Sequence, residues 1–189
     1  MKTNKTLALL LSCIAAFTMA HADDFKLEPG YISLFNGKDL TGWGYLTNNF
    51  DGKLASDDGR FSATNRALTV HPREPRLIQK ILTSREFTND FIFKVEFRAA
   101  TNADSGIYIR GPQLQCRDYL VAGPYKNLKQ YKPQDWNEII VIVTNNVAFC
   151  TCNGEVLEAA MKVPAAGPIG FEGDRGQMEY RRVRLKQLP

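Results

Sequence analysis

Histidine is almost missing from this 189-residue chain, which has two, His21 and His71. His21 falls in an N-terminal stretch that reads as a cleaved leader. His71, beside Pro72 in a charged loop, reads as a surface residue, and without it no Ser–His–Asp arrangement can be assembled. Cysteine is scarce as well, four in all, with Cys13 in the leader and Cys116, Cys150 and Cys152 beyond it. Cys150 and Cys152 are two apart on one strand and share a face, so they are poorly set to bridge each other, whereas Cys116 could pair with either. Three thiols with one histidine make a poor metal set in an oxidising compartment, so neither a metal nor a cofactor is expected. Past the leader no apolar run is long enough to span a bilayer. Helical periodicity is nearly absent too.

The leader itself has clear parts. Lys2 and Lys5 form a basic start, Leu7 to Ala20 is apolar but too short for a span, and Ala20-His21-Ala22 is a small-x-small cleavage site. Residues 1–22 are therefore expected to be a signal peptide, and the mature chain to be exported to a bacterial periplasm or the exterior. Leu10-Leu11-Ser12-Cys13 loosely resembles a lipoprotein processing site, but the apolar run continues past Cys13, which favours simple cleavage. Losing Lys2 and Lys5 lowers the net charge from +4 to +2. The remaining basic residues are dispersed except for Arg181, Arg182, Arg184 and Lys186, which read as a solvated edge of a last strand. Nothing in this balance points to nucleic acid. Residues 23–189 are one domain's worth of chain, and no repeat or linker divides them.

What the chain does contain is strand. Phe91, Phe93, Val95 and Phe97 alternate with Ile92, Lys94, Glu96 and Arg98, a period-2 pattern with one buried face. Asn102 to Gly106 turns the chain, and Ile107 and Ile109 then alternate with Tyr108 and Arg110. If these two strands pair, Glu96, Arg98, Tyr108 and Arg110 share one sheet surface, either a polar site for a polyhydroxylated ligand or a solvated face stitched by ion pairs. Glu138 to Thr144 is nearly all apolar, as in a covered or central strand. Asn153-Gly154 is a strong hairpin signal. Many short strands with Gly, Asn and Pro turns predict an all-β, two-sheet sandwich. The stretches 44–60 and 117–135 read as long loops, which often rim a site. Asp51, Asp57 and Asp58 lack the spacing of a defined calcium loop.

Four segments carry a family resemblance. Ser33 to Trp43 (SLFNGKDLTGW), Val95 to Arg110 with its Asp-Ser-Gly-Ile-Tyr-Ile-Arg run, Trp136-Asn137-Glu138, and Gly167 to Gly176 resemble, in order, motifs of the 3-keto-disaccharide hydrolase domain family. The resemblance implies a concanavalin-like jelly-roll β-sandwich in which the outward face of one sheet holds sugar. It also implies a reaction. A ketone at C3 acidifies the C2 proton, a base removes it, the C1 substituent leaves and water adds back. Such a site needs a base near C2, a cation or donor at the C3 oxygen and an acid at the leaving group.

On that basis Glu96 and Asp118 are the candidate catalytic carboxylates, and Arg98, Tyr108, Arg110, Gln113, Gln115 and Trp136 the candidate substrate-binding residues. Trp136 fits a sugar-stacking platform or a core anchor. Trp43 reads as structural. Two departures bear on activity: Gln113 stands where the family usually has Glu, and Gln cannot act as a base; Arg175 stands where it often has His. Glu172, where the family often has Gln, could supply a replacement carboxylate. The expected function is hydrolysis of 3-keto glycosides, with a non-catalytic, lectin-like carbohydrate-binding module as the alternative. The expected partner is a small carbohydrate; the sequence leaves the oligomeric state open.

Overall fold

The alternation over residues 91–99 becomes a strand with one fully buried face. Phe91, Phe93, Val95 and Phe97 are sealed in the core, and Ile92, Lys94, Glu96 and Arg98 are half-buried on the other side. Each buried Phe of this kind contributes about 1.5–3 kcal/mol relative to exposure. The same pattern is repeated in the computed structural model, which describes residues 24–189; the signal peptide expected over residues 1–22 lies outside the described residues.

In chain order the strands are β1 (Ile32–Ser33), β2 (Trp43–Tyr45), β3 (Asn48–Asn49), β4 (Phe61–Thr64), β5 (Ala67–Val70), β6 (Gln79–Thr83) and β7 (Phe91–Ala99). They continue with β8 (Asp104–Ile109), β9 (Gln113–Arg117), β10 (Asn137–Thr144), β11 (Val147–Cys152), β12 (Glu155–Lys162), β13 (Ile169–Gly173) and β14 (Met178–Gln187). One sheet runs β12-β11-β10-β7-β14-β5-β4, with β1 also on β14, and the other runs β3-β2-β6-β13-β8-β9. Neighbouring strands are antiparallel, and the two apolar faces pack as a jelly-roll sandwich. Phe171 of β13 stacks on Tyr180 of β14 with ring centroids 3.9 Å apart, which ties the sheets together, and on Trp43 of its own sheet at 5.1 Å. Trp43 is fully buried and donates its indole N–H to the Leu34 carbonyl at 2.7 Å, the structural role expected of it.

Local turn chemistry follows the sequence. Asn145-Asn146 joins β10 to β11 with both residues at positive φ (50° and 61°), and Asn153-Gly154 joins β11 to β12 at 48° and 86°. Paired positive φ angles are what a two-residue hairpin demands, and Asn and Gly tolerate them best.

Two expectations are corrected. Strands β7 and β8 do not pair: β7 lies between β10 and β14, and β8 lies between β13 and β9 in the opposite sheet. Both bury an apolar face, and in a sandwich those faces meet across the core, so the polar faces point away from each other. The basic run Arg181–Lys186 is not on an edge, because this part of β14 pairs with β7 on one side and with β1 on the other. Strand β10 lies inside its sheet between β11 and β7, the central placement expected of its apolar run, with Ile142 36% exposed on its outer face.

The outer face of the larger sheet carries the N-terminal arm instead. Glu28 accepts from Arg184 Nε at 2.7 Å and Nη2 at 2.9 Å and from Lys94 at 3.3 Å. Phe25 lies against the Arg182 and Arg184 guanidiniums, and Tyr31 sits under Lys94. Cys116 of β9 and Cys150 and Cys152 of β11 all point into the core and are unbridged.

Candidate active site

Alternation fixes the outward residues of the smaller sheet. Ile107 and Ile109 enter the core from β8, Leu114 and Cys116 from β9, Ile169 and Phe171 from β13, and Ile81 from β6. The opposite parity leaves Asp104, Gly106 and Tyr108 of β8, Gln113 and Gln115 of β9, Gly170 and Glu172 of β13, and Lys80 and Leu82 of β6 on the outer face. Register then sets the neighbours. Glu172 is the cross-strand partner of Lys80, and Tyr108 lies between Gly170 and Gln113.

These side chains form a connected cluster. The Tyr108 hydroxyl and the Gln113 amide both donate to the Glu172 carboxylate, the latter at 3.0 Å. Lys80 Nζ stands 3.8 Å above the centre of the Tyr108 ring. Glu172 is only 6% exposed and Tyr108 7%, while Lys80 and Gln113 are open to solvent. Burial, and next the bond to Glu172, push the Tyr108 phenol well above its ordinary range, so it stays protonated and keeps donating. Two glycines make room for this arrangement. A Cβ on Gly106 would fall 2.0 Å from Gln113 Nε2, and one on Gly170 would fall 2.4 Å from Leu82 Cδ2.

A second cluster continues along the same face. Gln115 Nε2 donates to Asp104 Oδ1 at 2.8 Å and to the Ser105 carbonyl at 3.0 Å. Asp104 also meets Arg117 at 3.2 Å and the half-exposed Arg175 at 3.4 Å. Arg76 grips the buried Asp174 carboxylate with two N–H groups, and the charges of Asp104 and Glu172 reach it as well. A groove of about 410 Å³ lies along β6 beside the first cluster, lined by Tyr45, Leu46, Thr47, Ile78, Gln79, Lys80 and Leu82.

The residues expected from sequence divide by sheet. Tyr108, Gln113 and Gln115 come together on this face. Glu96, Arg98 and Trp136 are on the outside of the other sheet. Glu96 is held by Arg181 at 2.7 Å and Arg182 at 2.5 Å, and Arg98 by Glu179 at 2.6 Å. Trp136 is half-buried between the guanidiniums of Arg181, 4.0 Å from the ring centre, and Arg98, at 4.8 Å, and so is not a core anchor. The ion-paired reading of Glu96 and Arg98 therefore describes that surface. Arg110, 2% exposed, turns away from Tyr108 and donates to the carbonyls of Asn89 and Pro164. Asp118, also 2% exposed, anchors its own loop, accepting from Asn102 N at 3.1 Å and from Leu120 N, Tyr131 and Gln134, each at 3.4 Å. Glu96, Arg110, Gln115 and Asp118 thus do not converge.

Lys80 and Arg76 went unnoticed in the sequence because a lone Lys in a short polar run and an Arg in a loop carry no local pattern. Glu172 was visible as a carboxylate, but its face was not.

Comparison with known proteins agrees with the fold. Residues 30–186 match the family model of the 3-keto-alpha-glucoside-1,2-lyase-like domain. Two crystal structures of proteins from Parabacteroides distasonis ATCC 8503, each described as a candidate glycosyl hydrolase, superpose with TM-scores of 0.66 and 0.61 at 18% and 17% identity. The first covers 85% of this chain and 94% of its own, the second 84% and 99%. A carbohydrate-binding module from Bacillus subtilis superposes with a TM-score of 0.55 at 10% identity, covering 78% of this chain and 97% of its own. At these identities the structural likeness establishes the sandwich fold. No curated protein matches the sequence.

Proposed function

Because this chain belongs to the 3-keto-alpha-glucoside-1,2-lyase-like domain family, we propose that it cleaves 3-keto glycosides on the outer face of the β6–β13–β8–β9 sheet, with Glu172 as the base. The observation that carries this reading is the convergence of Tyr108 and Gln113 on Glu172, with Lys80 directly opposite across the strand pair. A buried carboxylate oriented by two donors, with a cation on the neighbouring strand, has the parts that proton abstraction next to a ketone requires.

The steps follow from that placement. Glu172 takes the proton from C2, and the electron pair delocalises onto the C3 oxygen. Arg76, fixed on Asp174 just past the end of β13 and two residues on from Glu172, is the cation for that oxygen. The C1–O bond then breaks and Lys80 delivers a proton to the departing oxygen, which leaves an enone. Water adds at C1, the carbon β to the ketone, and C2 recovers a proton, which gives a 3-keto monosaccharide and the free alcohol. Ordinary glycosidases need two carboxyls at a set separation, a different requirement. Export belongs to this reading, supported by the basic, apolar and small-residue pattern of the leader.

Incubation with 3-keto glucosides should release a 3-keto monosaccharide. No release at high enzyme concentration would contradict the reading. A second reading, a carbohydrate-binding module without turnover, is favoured by one observation: both Glu172 oxygens already accept hydrogen bonds. Saturable glycan binding with no product would select it.

A further inference from the structure

The groove beside Lys80 differs in character from the cluster next to it. Its volume, about 410 Å³, lies within the ~300–1,000 Å³ typical of small-molecule sites. Leu46, on the turn between β2 and β3, is 91% exposed, and Ile78, just before β6, is 54% exposed. Leu82 and the ring of Tyr45, both half-buried, supply further apolar wall. Lys80 borders this groove and also sits on the Tyr108 ring next to Glu172, so the apolar groove and the polar cluster meet at one residue.

We propose that this groove receives the leaving group of the substrate, and that the leaving group is an apolar, aryl or long alkyl, alcohol rather than a second sugar. The inference rests on the proposed cleavage at Glu172. With C2 over Glu172, the substituent on C1 extends past Lys80, one strand over, and into the groove. A second sugar there would find Thr47, Gln79 and Lys80 as polar partners but would give up hydrogen bonds to water against Leu46, Ile78 and Leu82, which offer no donor or acceptor in return. An aromatic or alkyl group gains by the same contact, because Leu46 and Ile78 have no apolar cover of their own.

The test compares phenyl and methyl 3-ketoglucosides, in both anomers, with the wild type, Leu46→Ser and Ile78→Ser. Both side chains are exposed, so the variants should fold. The wild type should prefer the phenyl over the methyl substrate by about tenfold or more in kcat/KM, and either substitution should lower that ratio several-fold, through KM. Equal kcat/KM for the two substrates, or a ratio unchanged in both variants, would overturn the inference and leave the cleavage reading intact. If neither substrate is cleaved, the cleavage reading fails, and calorimetry with phenyl glucoside decides about the groove. Binding weakened in Leu46→Ser would support an apolar-ligand site, and no binding would end the proposal. Wild-type dimerisation abolished by Leu46→Ser, seen by sedimentation, would assign the groove to a second copy instead.

Discussion

The side-chain amide of Gln113 donates to Glu172 Oε1 at 3.0 Å across the β9–β8–β13 ribbon. The family resemblance places a carboxylate at position 113 and often an amide at 172, and in this chain the two groups are found the other way round. Their contact is compatible with either order, since an amide and a carboxylate form the same bond from either side.

That relationship gives the first prediction. Gln113→Glu alone sets two carboxylates against each other and should lower stability near neutral pH by about 1 kcal/mol, or roughly 2–4 °C in a melt, with recovery in acid. The double exchange Gln113→Glu with Glu172→Gln should regain most of the loss. Additive losses in the double variant would show that the two side chains are not coupled.

Gly106 tests the same contact without changing charge. An Ala methyl at that position would meet the Gln113 side chain from Cγ to Nε2, which must take another rotamer, so the cost to folding should be about 1 kcal/mol. Glu172 loses a donor when Gln113 moves. Gly106→Ala should therefore reduce turnover of a 3-keto glucoside more than tenfold while its melting temperature stays within a few degrees. A wild-type rate would mean that Gln113 does not position Glu172.

Far more of the fold than of the site could be read from the sequence. Alternation in Phe91 to Arg98 and the Asn-Asn and Asn-Gly turns each act within a few residues, and each gave the observed element. The partner of a strand is set by the whole sandwich. Residues 91–110 look like a hairpin locally, yet the chain crosses to the other sheet between Ala99 and Asp104. That one crossing carries Glu96 and Arg98 to the far side of the molecule from Tyr108. The carboxylate that does meet Tyr108 lies 64 residues further along the chain, at a distance no local pattern spans.

The carboxylates that lie off the face should behave as structural groups. Glu96→Gln loosens the contacts to Arg181 and Arg182, and Asp118→Asn weakens the anchoring of its loop; each should cost about 1–2 kcal/mol of stability. Neither should change kcat by more than about twofold. A loss of a hundredfold in folded Glu96→Gln would return the base to the other sheet.

Glu28 predicts a pH effect on stability. Its hydrogen bond from Arg184 lowers its pKa from 4.5 to about 2, against an opposing effect of burial. A carboxylate with a lowered folded pKa adds stability above its unfolded value, and that stability is lost as pH falls through the folded one. The contribution should be whole above about pH 5, mostly lost by about pH 2 and gone near pH 1, and with Glu28 partly exposed it amounts to about 1 kcal/mol. Glu28→Gln should thus melt lower than wild type at pH 7, with most of that gap closed at pH 2. A gap undiminished at pH 2 would contradict this origin.

The thiols should be inert in the folded protein. Burial pushes Cys150 and Cys152 up to about 12 and Cys116 well above its ordinary value. A disulfide reagent at pH 8 should label none of the three before denaturation and all three after it. Rapid native labelling would place at least one thiol at the surface.

The central claim is that Glu172 removes the C2 proton, and Glu172→Gln tests it most directly. Turnover of a 3-keto glucoside should fall by about 10²–10⁴-fold, while calorimetry still detects binding and the melting temperature stays close to that of the wild type. A folded Glu172→Gln variant that turns over at the wild-type rate would contradict the account.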